Sequence, residues 1–227
     1  MPSNIKLFFL SSLFNLNLYC QKLPEGFVFL SDQIPELTVE LRYASKDNFM
    51  GRVIKGYQIG QKIVGTCHLA KALQKVQIKL KREGLGLKLF DAYRPQKAVN
   101  DFIQWSKILS DTLAKEKYYP NIPKDSLFSY GYIASKSGHS RGSTIDITLI
   151  YLIGKKRGQE LDMGGDWDYF GKNSNYNFKL ISKKQKNNRK KLRNIMTLYG
   201  FSPYEKEWWH FTLKNEPFPD KYFDFTP

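Results

Sequence analysis

SKSGHSRGSTIDITLI, residues 135–150, passes from a turn-forming run of glycine and serine into an alternating apolar segment. In its second half Ile145, Ile147 and Leu149 share one face while Asp146 and Thr148 share the other, the period-two pattern of a β-strand. A carboxylate on such a strand is either solvent-exposed or held by a partner in a cleft. His139 precedes it on a turn that Gly138 and Gly142 allow to fold back, so one cation could bridge His139 and Asp146. The same spacing also suits a histidine that only hydrogen-bonds locally.

Working outward, residues 37–44 (LTVELRYA) alternate Leu37, Val39 and Leu41 and predict a strand. Thr66 is placed to cap a helix in which Leu69, Leu73, Val76 and Leu80 recur at helical spacing, stopped by Gly84. Leu85, Leu87 and Leu89 then alternate, leaving Asp91 and Arg94 at the strand's end. Pro95 suits the first turn of a following helix with Val99, Phe102 and Ile103 inward. Residues 110–136, with Pro120 and Pro123 and several tyrosines, read as an irregular covering loop. From Lys183 to Arg193 seven residues are basic and none acidic, yet Leu192, Ile195, Met196 and Tyr199 keep a helical stripe up to Gly200. The charge run is the solvated face of an amphipathic helix. EWWHFTL closes the core as a last strand. Strands and helices without a regular βαβ rhythm predict an α+β single domain, with a mostly antiparallel central sheet flanked by helices.

The 227 residues suit one domain, and 41% apolar content suffices for a substantial core. A formal charge of +15 favours anionic surroundings or simply a lysine-rich surface. No nucleic-acid-binding motif accompanies the charge, so nucleic acid is not an expected partner. Lys6 followed by the apolar run at residues 7–20 reads as a signal peptide spanning residues 1–20, with the mature domain over residues 21–227. That predicts a periplasmic or secreted protein without a transmembrane helix in its mature form, or a cytoplasmic one if the start is misread. Cys20 is a less favoured lipidation site because bulky Tyr19 precedes it. With the leader removed only Cys67 remains, which excludes an intrachain disulfide.

Outside the opening segment, the histidine in an apolar, aromatic context is His210, in EWWHF. His139, Asp146 and His210 together make a three-ligand set that leaves a position for water. Glu207, three residues before His210, would face away from it in a regular strand, so both serve one site only if the segment enters through an irregular turn. In that case Glu207 could act as a hydrolytic base. Arg94 offers a planar fork for a developing oxyanion, with Asp91 as its orienting partner. His68 reads as an ordinary helix-start residue. Two histidines and a carboxylate also describe mononuclear iron(II) oxygenases, which have no evident need of Glu207.

Taken together, SGHSRGSTIDITL, LFDAYRP, LDMGGDWDYF and EWWHF resemble the zinc D-alanyl-D-alanine dipeptidases. These are the vancomycin-resistance-type enzymes and their wider bacterial relatives in the D-Ala-D-Ala metallopeptidase group. LRYASKDNFMG, YQIGQKIVGT and the terminal YFDF extend the likeness from Gly26 to Pro227. The resemblance implies one Zn²⁺ per chain, held by His139, Asp146 and His210. It implies Glu207 as the base and Arg94 as the residue stabilising the tetrahedral intermediate. It further implies Asp168, Ser137, Tyr43 and Asp91 as substrate-binding residues, Asp168 receiving the free amino group of a small dipeptide. A D,D-carboxypeptidase trimming wall peptides, or a non-catalytic envelope-binding module, are the alternative readings. Oligomeric state is not legible.

Overall fold

Leucine and isoleucine alternation builds the two strands at the centre of the molecule, and the rest of the chain is arranged around them. In chain order the elements are β1 (Phe27–Phe29), α1 (Leu30–Gln33), β2 (Thr38–Val39), β3 (Val64–Thr66), α2 (Cys67–Lys81) and β4 (Leu85–Asp91). They continue with α3 (Gln96–Lys107), α4 (Lys115–Tyr118), β5 (Thr144–Tyr151), α5 (Lys183–Leu198), β6 (Phe201–Tyr204) and β7 (Glu207–Leu213). The computed structural model describes residues 23–227, so the expected leader and Cys20 lie outside the described residues. No described helix is long and apolar enough to cross a membrane.

The main sheet has five strands in the order β2-β4-β5-β7-β6. All neighbours are antiparallel except β2 and β4, which run parallel. The α+β, mostly antiparallel expectation therefore holds, with helices flanking the sheet. Central β5 is buried from Thr144 to Ile150 on both faces, which is why its polar residues have to find partners inside the protein. Thr66 caps α2 by accepting from the Leu69 amide, and Leu69, Leu73, Val76 and Leu80 are all buried. Gly84 takes φ +69°, turning the chain from α2 into β4.

Two expectations need correction. Residues 37–44 are not one strand: only Thr38–Val39 is, and Arg42–Ala44 forms a 3₁₀ turn. The Glu40 amide still bonds to the Leu89 carbonyl, after which the chain turns so that Tyr43 enters the core at 2% exposure. The basic run on α5 is also not wholly solvated. Arg189 is buried and donates to the backbone carbonyls of Met163, Asn173 and Asn175 at 2.6, 2.8 and 2.7 Å. Burial pulls its guanidinium down to about 10, and the three carbonyls supply its hydrogen bonds. This one side chain fastens the loop that contains Asp168 to α5. Ile103 is only half-buried, whereas Val99 and Phe102 face inward as expected.

A second, smaller cluster packs Phe27 and Tyr93 against Phe218, Phe223 and Phe225 of the tail. The tail also caps α3, Asp224 accepting from the Lys97 amide at 2.7 Å.

Replacing Arg189 with Ala strands three carbonyls in a dry environment. Urea unfolding should show a loss of roughly 2–5 kcal/mol, and Lys should not restore it because its head cannot reach three divergent acceptors.

Candidate active site

The site is assembled by irregularities in the sheet. Leu89 pairs with Ile147, but Asp91 pairs with Asp146, so a bulge at Phe90 places the two aspartates side by side. On the other flank Asp146 pairs with His210, which completes a row of Asp91, Asp146 and His210 across β4, β5 and β7. The pairing of β6 with β7 also shifts: Pro203 faces Phe211, yet Tyr204 faces Glu207. That irregular entry is what the spacing of Glu207 and His210 requires. It brings Glu207 Oε2 to 3.4 Å from His210 Nδ1.

His139 arrives from a 3₁₀ turn, Gly138–Arg141, capped by Ser137. Gly142 ends the turn at φ +80°, and a Cβ there would stand 2.3 Å from the Phe27 ring. The turn is fixed to its surroundings by the Arg94 amide bonding to the His139 carbonyl and the Thr66 amide to the Gly142 carbonyl. His139 Nδ1 lies 2.8 Å from the Ala92 carbonyl. A carbonyl can only accept, so Nδ1 carries the proton and the Nε2 lone pair is left for a cation. Burial, aided by nearby Arg94 and opposed by Asp146, lowers the pKa of His139 and favours that neutral form. Burial tends to raise the Asp146 carboxyl, but His139 and His210 outweigh it and hold the group ionised.

His139 Nε2, Asp146 Oδ1 and His210 Nδ1 are separated by 3.3, 3.1 and 3.4 Å. Zinc bonds of about 2.0–2.2 Å at tetrahedral angles put donor atoms about 3.3–3.6 Å apart, so two sides of the triangle match such an ion and the Asp146–His210 side is slightly shorter. Among the described residues these three form the group able to hold a metal.

The triad opens on a cavity of about 230 Å³ that is also lined by Glu207, Arg94, Asp168, Tyr43 and Ser137. Tyr43 donates to Asp168 Oδ2 at 2.9 Å. Asp168 adopts φ +63°, a left-handed conformation uncommon outside glycine, and so its placement is imposed by the surrounding fold. Burial and then the like charge of Asp146 push its carboxyl well above the usual range, against Arg94 and Tyr43. Asp162 instead bonds Gln185 at the start of α5, and Asp166 is exposed. Burial first and Asp146 next raise the Glu207 carboxyl, with His210 opposing.

Asp91 is the orienting partner of Arg94 that the sequence suggested, and it is not among the residues lining the cavity. It is fully buried and stands behind Arg94, accepting from Arg94 Nε at 2.9 Å and from the Tyr57 hydroxyl at 2.7 Å. The Arg94 guanidinium is further held over the rings of Tyr43 and Phe102 at 5.0 and 5.3 Å. Tyr57 was not singled out by sequence reasoning. It sits in a glycine-bounded loop, and no periodicity links it to Asp91 thirty-four positions later.

A two-histidine, one-carboxylate donor set, with His139 on a 3₁₀ turn and Asp146 and His210 on antiparallel strands, shares its cavity with a glutamate and an arginine, the arrangement of a metallopeptidase. Comparison with known proteins specifies which kind. The peptidase M15 profile, described as D-ala-D-ala dipeptidase, matches residues 24–227, and the chain belongs to that family. A D-alanyl-D-alanine dipeptidase of Enterococcus faecalis is 44% identical over 200 residues, covering 88% of this chain and 97% of its own length. One from Streptomyces coelicolor is 42% identical over 199 residues, covering 88% and 96%. A more distant one from Escherichia coli is 32% identical over 182 residues, covering 79% and 80%.

Zinc at a hundredfold excess over its dissociation constant should stabilise the fold by about 2.7 kcal/mol. For a domain of this size that is a rise in melting temperature of roughly 5–10 °C. His139→Ala and His210→Ala should abolish the rise, as read by thermal denaturation with and without chelator.

Proposed function

We propose that the chain hydrolyses D-alanyl-D-alanine to two D-alanines, with zinc as its resident ion. What carries this reading is the convergence in one cavity of the His139–Asp146–His210 triad, Glu207, Arg94 and the Tyr43–Asp168 pair. The names of the relatives supply the substrate.

When bound, zinc supplies Lewis acidity and brings the pKa of water to about 7. The remaining work falls to the chain. Glu207, with its raised pKa, takes a proton from the attacking water as the O–C bond forms, and passes it to the departing nitrogen as the C–N bond breaks. Arg94, kept charged and oriented by Asp91 and by two ring faces, directs its donors at the oxygen that gains charge. Asp168 is a buried carboxyl group with a hydroxyl donor but no cation paired to it among the described residues, and the ammonium end of a dipeptide provides the cation that favours its ionised form. Ser137, at the foot of the histidine turn, lines the same cavity and offers a hydroxyl to the substrate.

The apolar run at residues 7–20, read as a leader, supports action outside the cytoplasm, on dipeptide released from wall turnover, and cell fractionation tests this part of the proposal.

Glu207→Gln should lower D-alanine release by about 10²–10⁴-fold while zinc content is unchanged. Normal turnover by that variant would refute Glu207 as the base. N-acetylation of the dipeptide removes the charge that Asp168 is proposed to receive. The acetylated dipeptide and a pentapeptide stem should therefore both be poor substrates beside the free dipeptide. Preference for the pentapeptide would reassign the enzyme as a D,D-carboxypeptidase.

A further inference from the structure

The end of the sheet remote from the catalytic cavity has a chemistry of its own. Here α2 ends, β4 begins and the chain leaves β5, the Leu152 amide bonding to the Gly84 carbonyl at 2.8 Å. β4 runs seven residues from this end to Asp91, about 20 Å at the usual rise per residue.

Two elements meet at that end, and α5 passes beside the last turn of α2 before leading into β6. The loop after β5 reads IGKKRG: Lys155, Lys156 and Arg157 are exposed, and Ile153 stands 68% exposed beside Gly84. The C-terminal turn of α2 adds exposed Lys79 and Arg82. The outer face of α5 lies against the end of α2, where Lys190 and Lys191 border a groove floored by Leu80 and Ile195. Leu198, 69% exposed, lies on the same groove. Glu83 is the acid within the groove, and it is already paired with Lys191. Lys155, Lys156, Arg157 and Lys190 form no ion pair among the described residues.

A surface of unneutralised basic groups calls for an anionic partner. The two protruding aliphatic side chains narrow the choice. A soluble polyanion gives Ile153 and Leu198 nothing to bury against, whereas an anionic bilayer gives the lysines headgroup charge and the aliphatics an interfacial layer. We propose that this end of the molecule, together with the adjoining groove between α2 and α5, docks on an anionic lipid surface, with Ile153 and Leu198 entering the headgroup boundary. The catalytic cavity is then held at the far end of the strands, open to small solutes. The inference does not depend on which dipeptide the cavity accepts.

The test is co-sedimentation of the purified chain with vesicles of equal parts phosphatidylglycerol and phosphatidylcholine, beside vesicles of phosphatidylcholine alone. Binding should occur only to the anionic vesicles and decline with added salt. Combined Lys155→Glu, Lys156→Glu and Arg157→Glu should weaken it about a hundredfold or more, and Ile153→Ser with Leu198→Ser should weaken it further. All of these positions are exposed and remote from the cavity, so dipeptide hydrolysis should stay at the parent level and report intact folding. Equal binding to both vesicle types, or no effect of charge reversal, would overturn the proposal. It would also be overturned if soluble polyglutamate bound as tightly as the anionic vesicles while the two serine substitutions changed nothing. The partner would then be a polyanion.

Discussion

Everything at the active site depends on a carboxylate buried at the centre of the sheet. Asp146 lies on a strand covered on both faces, and an ionised group there is tolerable only with donors or a cation around it. His139 and His210 stand on either side of it at 3.3 and 3.1 Å, and Arg94 approaches its other oxygen at 3.7 Å. The three ligand atoms lie within 3.4 Å of one another, so with both imidazoles neutral their lone pairs are crowded against the carboxylate. A divalent cation held there would relieve that crowding, and with two neutral imidazoles and one carboxylate it would keep a net positive charge with which to polarise water.

Around this centre the protein repeats one device: a group facing the cavity is fixed by another, main-chain or side-chain, that does not line the cavity itself. Ala92 sets the tautomer of His139 through its carbonyl. Asp91, itself held by Tyr57, orients Arg94. Arg189 anchors the loop bearing Asp168 by three carbonyls, so a residue in a basic surface run supports the Asp168 side of the cavity from behind. Such supports rigidify the site at distances where a small displacement would already cost rate.

Much of this was legible from residue order, and what was not has definite causes. The α2 and α5 helices could be read because burial there follows one period: Leu69, Leu73, Val76 and Leu80 all lie inside, as do Leu192, Ile195 and Met196. The strand expected over residues 37–44 was cut short because alternation alone does not reveal that Tyr43 must turn inward to meet Asp168. Arg189 looked like one more solvated cation, since its acceptors are main-chain carbonyls that carry no sequence signature. Spacing marked Asp91 as the orienting partner of Arg94, but not that it would stay clear of the cavity wall, because its side is set by a bulge.

Sequence by itself determined which groups this protein has for chemistry: the two histidines and the aspartate as donors, a glutamate three residues from one of them, an arginine at a strand end. Local pattern also determined the α+β class, since periodicity and capping act over a few residues. Only tertiary structure decided that these groups meet. Their donor atoms come together because the sheet aligns Asp91, Asp146 and His210 in one row and because bulges in β4 and at the start of β7 rotate the right side chains into it. Register between strands far apart in the chain is settled by packing of the whole core, and no short stretch of residues encodes it.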